Sequence, residues 1–319
     1  MRHQHLLVRP LHQLTALLLA AVLLLGGCAS QPQWPEHTGS SASHVIDGVP
    51  FHPQEAYQCG PAALATVLNH RSVATTPERL VDQVYVPERG GSLQVEMVAT
   101  ARAHGLLAYP LEPELGAILR EVEAGNPVLV MQNLGLDWWP QWHYAVVIGY
   151  DRGRDRIILH TDTRPRHAEP VRPFLASWAR ADHWAMVMTP PDRLPATARP
   201  LPWLAAASDM EELGQLPLAE QAYRTALAHW PDASAARFGL ANSLYAQEET
   251  EQALSQFITL TREAPELTAG WLNLATLLAR RGCPLAARHA AGCADTTLPE
   301  APTPAGSTAA CPVIHCPAK

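Results

Sequence analysis

Positive charge is scarce in this chain. Lys and Arg together number 23 against 30 Asp and Glu, a formal charge of -7. No basic stripe runs through it, which argues against nucleic acid as a partner. Cysteine is sparse too. Six in 319 residues are too few for a disulfide scaffold. No HExxH or CxxC spacing is present, so His160, His167 and His183 do not read as a zinc site. Long apolar runs are also lacking. The run from Leu14 to Leu25 falls short of a comfortable membrane span.

That run has another reading. Arg2 and Arg9 precede it, and Leu25-Gly26-Gly27-Cys28 closes it. Residues 1–27 therefore read as a signal peptide. The closing tetrapeptide resembles the lipobox of bacterial lipoproteins, with cleavage before Cys28 and a diacylglycerol on its thiol. The alternative is an ordinary secretory signal with an incidental cysteine. Ala29 follows the cysteine where Asp would signal retention, so Gram-negative sorting implies the outer membrane, facing the periplasm. The membrane partner is then reached through a lipid anchor. Residues 28–45, polar with Pro and Gly, read as a tether.

Two stretches carry chemistry. The first runs from Pro53 to Leu68 and contains Gln54 and Cys59-Gly60-Pro61-Ala62. It reads as a loop entering a helix, with Pro61 at the first helical position. Cys59 then lies at a helix N-terminus, where unpaired N–H groups favour a thiolate. The second is Trp142-His143-Tyr144-Ala145-Val146-Val147-Ile148-Gly149-Tyr150, a buried strand with His143 at its mouth. A polar turn follows, then the partner strand Arg156–His160, then Asp162. A His at the start of one strand and an Asp past the end of its antiparallel partner can be neighbours. Cys59, His143 and Asp162 can thus supply a nucleophile, a base and an orienter. His160 is a weaker rival for the base.

Taken with Gly90-Gly91-Ser92 and Ala124-Gly125-Asn126-Pro127-Val128-Leu129-Val130, these stretches resemble the papain-like cysteine peptidases that process bacteriocin leaders at a double glycine. The likeness is closest to a stand-alone lipoprotein branch with a tetratricopeptide tail. It implies an α+β papain-like peptidase domain over 46–192, with Gln54 and the Cys59 N–H as oxyanion donors. It also implies a peptide or protein substrate and no metal or organic cofactor. The family has Asp followed by Pro after the second strand; here the run is Asp162-Thr163.

Between the two stretches the chain reads as helices first and antiparallel strands later. A capped helix starts at Thr76-Pro77. Residues 86–93 read as a loop, and a helix spans about 93–104. A strand at 108–111, a helix at 113–124 and a strand at 128–132 follow. Trp138, Trp139 and Trp142 either line a cleft for an extended peptide or pack the domain edge.

Pro190-Pro191 and Pro195 mark a linker. From about residue 200 a period of 34 appears. Trp203 is matched by Arg237 and Trp271, Ala207 by Ala241 and Ala275, and Ala219 by Ala253 and Ala287. Tyr223 is matched by Phe257, and Pro231 by Pro265. Such spacing resembles tetratricopeptide helix pairs over 200–294, all-α, the third pair degenerate. An array this short leans on the catalytic domain or on a protein partner. Residues 295–319, rich in Pro, Ala and Thr, read as disordered. Cys283, Cys293, Cys311 and Cys316 could pair outside the cytoplasm and tie the tail to the third repeat.

The functional expectation is a lipid-anchored extracytoplasmic thiol peptidase. Two other readings stand beside it: a peptide-binding scaffold with a vestigial site, and an acyltransferase of the same fold.

Overall fold

A computed structural model describes residues 34, 41–54, 59–296 and 310–316. Residues 1–27, which read as a signal peptide, Cys28 and most of the stretch that reads as a tether lie outside the described residues.

Helix α1 (Cys59–His70) is the centre of the first domain. From Gly60 to Leu68 every residue is buried, so the helix is apolar on all sides, as expected of one inside a core. It begins two residues earlier than the sequence suggested. Pro61 nevertheless sits in the first turn, where its missing N–H is no loss.

α1 lies on an antiparallel sheet. The strands are β1 (Ser43–Val45), β4 (Leu107–Pro110), β5 (Val128–Asn133), β6 (Trp142–Asp151), β7 (Arg156–Thr161), β8 (Arg164–Pro170) and β9 (Ala185–Thr189). Their order is β4-β9-β5-β6-β7-β8, with β1 paired to the far end of β6. Leu129, Tyr144, Val146, Ile148, Met186 and Met188 pack in one core with Leu64, Val67 and Leu68 of α1. Alternation along the strands directs Val128, Val130, Ala145 and Val147 the other way. On that side α4 (Leu115–Glu123) and α5 (Val171–Ala179) contact β5 and its neighbours.

Two further helices, α2 (Pro77–Val84) and α3 (Gln94–Ala103), flank a small hairpin of β2 (Tyr85–Val86) and β3 (Gly91–Ser92). Residues 86–93 are therefore not a loop. A short 3-10 turn at Pro87–Arg89 ends on Gly90, whose φ of 61° suits glycine. Thr76 stands at the N-cap of α2 but makes no side-chain cap bond. Strand β1 begins at Ser43, inside the stretch read as tether. Its three residues pair with Gly149, Tyr150 and Asp151. β8, which holds His167, has no counterpart among the strands expected from the sequence. Its charged, proline-bounded sequence, Arg164-Pro165-Arg166-His167-Ala168-Glu169-Pro170, suits an edge strand.

Six helices follow: α6 (Pro200–Glu212), α7 (Leu216–His229), α8 (Ser234–Ala246), α9 (Thr250–Glu263), α10 (Thr268–Arg280) and α11 (Pro284–Cys293). The period of 34 becomes physical here. Ala207, Ala241 and Ala275 are fully buried, as are Ala219 and Ala253. Small side chains at these positions let helices approach closely. In the first two pairs an aromatic fills the remaining space: Tyr223 and Phe257 are buried. A Cβ built on Gly239 would overlap the Tyr223 ring, so α8 reaches α7 only because that position is glycine. Arg237, the odd member of its column, pairs with Glu263 at 2.7 Å.

The array does lean on the first domain. Glu121 of α4 is fully buried and accepts hydrogen bonds from the linker. The N–H groups of Ala196 and Thr197 donate at 3.1 and 2.6 Å, and the Thr197 hydroxyl at 2.5 Å. Asn126 Nδ2 donates to the same carboxylate at 2.6 Å, and Arg71 Nη2 donates to Asn126 Oδ1 at 2.6 Å. Tyr109 OH receives the Arg199 N–H at 3.0 Å and donates to Thr197 O at 3.1 Å. Arg102 of α3 forms an ion pair with Asp209 of α6. At the other end of the array two disulfides, Cys283–Cys311 and Cys293–Cys316, fasten residues 310–316 to α11. That part of the tail is ordered, with Ile314 buried.

Candidate active site

One cavity of about 880 Å³ opens where the start of α1 meets the start of β6. Gln54, Cys59, His143 and Asp162 all line it, so the four side chains chosen from sequence converge on one place. Arg89 to Gln94, from the β2–β3 hairpin to the start of α3, makes one wall. Met131 and the stretch Pro140 to Tyr144 make another.

Cys59 is the first residue of α1 and the chain's one free cysteine among the described residues. The nearby backbone N–H groups of Tyr144, Gly60 and Cys59 itself favour the thiolate. Burial works the other way and is larger, so the thiol is pushed up from its ordinary value. The helix N-terminus was expected to depress it. The surrounding core, which also packs against Cys59, outweighs that effect. The next residue fixes how close the hairpin comes: a Cβ on Gly60 would overlap the Ser92 side chain.

His143 sits directly opposite Gln132 of β5 and is only 8% exposed. Its Nε2 lies 2.7 Å from Thr161 Oγ1 and 3.5 Å from Asp162 Oδ1. A carboxylate only accepts hydrogen bonds. A proton on Nε2 serves both neighbours and leaves the Nδ1 lone pair for another proton. Burial pulls the imidazole below its ordinary value, with Arg164 adding to that and Asp162 opposing it. Both shifts favour a neutral thiol beside a neutral imidazole at rest.

Asp162 occupies the tight turn between β7 and β8, where Thr161 pairs with Arg164. Its φ is 47°, a left-handed conformation that Asp tolerates better than most residues. A proline at 163 would push Asp162 toward extended backbone, so Thr163 is consistent with this turn. The carboxylate is shared, with Oδ2 lying 2.6 Å from Arg164 Nη2.

Gln54 is tied in through its backbone, whose N–H donates to Asp162 O at 2.8 Å. Its Nε2 makes a long bond of 3.4 Å to Tyr144 O. Its Oε1, and Ser92 Oγ across the cavity, are buried without a partner among the described residues. The loosely held amide can therefore turn toward a ligand. His160 is not placed as a base. Its Nε2 bonds Val49 O at 3.2 Å and its Nδ1 receives the Arg166 N–H at 3.1 Å. Both ring nitrogens are thus occupied. No cluster of His, Cys, Asp and Glu suited to a metal occurs among the described residues.

The tryptophans divide. Trp142 lines the cavity. Trp138 and Trp139 are 78% and 66% exposed and stack edge to face on one another. The edge-packing reading is therefore set aside for them; the buried tryptophan of this domain is Trp178. Thr161 was overlooked in the sequence. Its signal, a hydroxyl residue immediately before Asp162, is too common to carry weight alone.

The architecture is a mixed α/β papain-like domain with an antiparallel sheet, followed by an all-helical repeat region. Residues 46–186 match the Peptidase C39-like family and residues 212–280 the tetratricopeptide repeat, so the chain carries a C39-like peptidase domain followed by such repeats. Among solved structures, a C39-like peptidase from Bacillus anthracis is similar at 16% identity, over 46% of this chain and 97% of that one, with a TM-score of 0.41. A double glycine motif protease from an AMS/PCAT transporter, solved with its leader peptide, shares 22% identity over 46% and 94% of the two chains, with a TM-score of 0.36. The peptidase domain of Streptococcus ComA, a bi-functional ABC transporter, shares 19% over 44% and 98%, also with a TM-score of 0.36. No curated protein matches the chain.

Proposed function

We propose that the protein is a cysteine peptidase of the cell envelope, anchored through a lipid on Cys28. The observation that carries the catalytic part is the convergence of Cys59, His143, Asp162 and Gln54 on one cavity. His143 Nδ1 takes the Cys59 proton as the sulfur attacks the carbonyl carbon of a peptide bond. The tetrahedral oxygen is held by the Gln54 amide and the Cys59 N–H. The imidazolium returns the proton to the departing amine, leaving an acyl-enzyme that water releases. The raised thiol and the lowered imidazole favour neutral partners at rest, so the proton moves when substrate is present.

The envelope placement draws support from the lipobox-like Leu25-Gly26-Gly27-Cys28. It draws further support from the two disulfides, which suit an oxidising compartment. The repeats would hold a protein partner. Trp142 in the cavity wall, with the exposed Trp138 and Trp139 a few residues before it in the chain, favours an extended peptide with bulky apolar side chains as substrate.

The test is hydrolysis of a peptide library by purified protein, followed by mass spectrometry. Cys59→Ala abolishes turnover and also covalent capture of a peptidyl epoxide. A Cys59→Ala protein with full activity would refute the reading. A wild-type protein that binds peptides tightly without cutting them would support the scaffold alternative. Product mass with an added amine separates hydrolysis from acyl transfer.

A further inference from the structure

We infer that Thr161 is a positioning residue for His143: its hydroxyl oxygen accepts the hydrogen bond of Nε2–H and so keeps Nδ1 as the nitrogen that takes the thiol proton. The inference rests on the peptidase reading above and adds a residue to it. The geometry orders the two neighbours of Nε2. Thr161 Oγ1 is at 2.7 Å and Asp162 Oδ1 at 3.5 Å, and only the first is within ordinary hydrogen-bond range.

Their surroundings differ in the same sense. Thr161 is the last residue of β7, buried, and in register with Arg164. Its branched side chain has few rotamers open to it. The Asp162 side chain is 43% exposed, stands in the turn, and spends its other oxygen on Arg164. A buried hydroxyl on a paired strand holds a ring more firmly than a half-solvated carboxylate shared with a guanidinium. Asp162 then contributes mainly field. The charged and titratable groups around His143 are Asp162 and Arg164 on the turn, with Cys59 across the cavity. Glu169 of β8 stands behind them and interacts with both turn residues.

The experiment uses the full chain with ¹⁵N-labelled histidine. Ring resonances of His143 are followed against pH by NMR, alongside the pH profile of peptide hydrolysis. The wild-type ring holds its proton on Nε2. In Thr161→Val, which keeps shape and strand propensity, the ring becomes a mixture of tautomers and its titration moves to lower pH. The kcat falls about three- to tenfold, the factor equivalent to one net hydrogen bond, with KM unchanged. Thr161→Ser restores both readings, and Asp162→Asn has the smaller effect on tautomer. Should Thr161→Val fail to fold, Thr161→Ala gives the same comparison.

A Thr161→Val protein with the wild-type ring spectrum and pH profile overturns the inference. So does a larger tautomer change in Asp162→Asn. If wild-type protein cuts no peptide, the peptidase reading falls, while the ring spectrum still decides whether Thr161 holds His143.

Discussion

The two halves of the described chain solve the same packing problem in opposite ways. In the peptidase domain the decisive contacts join distant segments: α1 with β6, Gln54 with Asp162, Glu121 with Ala196 and Thr197. In the repeats each helix packs mainly on its neighbours in sequence, as a stacked array requires. Polar groups follow the division. Glu121, Gln132, Asn133, His143, His160 and Thr161 are buried in the first domain, whereas buried polar residues in the array are Ser243 and Thr261. A non-local core can place unlike groups side by side, which chemistry needs. A local core trades that for tolerance: residues can change so long as the spacing of small and large side chains survives.

The comparison can be broken at several points, beginning where the effect is largest. Gln54→Ala removes a donor from the site and leaves the repeats intact. We expect kcat to fall about 10²- to 10³-fold, the usual cost of an oxyanion donor, with the melting profile unchanged. Replacing Cys311 and Cys316 with serine acts on the other half. It releases two loops and lowers the stability of the array by about 3 kcal/mol per bridge, read as earlier loss of helix on heating. Peptide hydrolysis at 25 °C stays at the wild-type rate. A fall would mean that the array and the catalytic cavity are energetically coupled.

Gly60→Ala tests the close approach of α1 and the hairpin. Overlap with Ser92 costs about 1–3 kcal/mol, measured by chemical denaturation, and turnover falls with it because Cys59 shifts. A pH series tests the neutral resting pair. A raised thiol means less thiolate at any given pH, so alkylation of Cys59 by iodoacetamide is slow at pH 7. It climbs with pH through values above the ordinary thiol range. A fast plateau extending into acid would instead show a preformed ion pair. Smallest of all, Trp138→Ser at the most exposed tryptophan changes stability by less than about 0.5 kcal/mol.

What sequence could reveal differs between the halves for the same reason. The repeats announce themselves because a local core writes its rule into the spacing: Ala207, Ala241 and Ala275 stand 34 apart and all become buried. Cys59 and His143 were legible because each sits in a characteristic local setting, a helix start and a strand mouth. β8 was hidden because a charged edge strand lacks the alternation that marks a half-buried one. Thr161 and the raised Cys59 thiol were hidden for a deeper reason. Both depend on what the fold brings to a point, and no window of neighbouring residues contains that. The same holds for Glu121, one acid on an amphipathic helix until the linker folds over it.

That last carboxylate has a consequence for how the molecule could choose its targets. With Ala196 and Thr197 fastened to Glu121, and Arg102 gripping Asp209, the junction is clasped rather than hinged. Anything held by the helices is then presented to the groove at one set distance and bearing. Selectivity can reside in the interval between two marks on a target, as with a caliper, instead of in either mark alone.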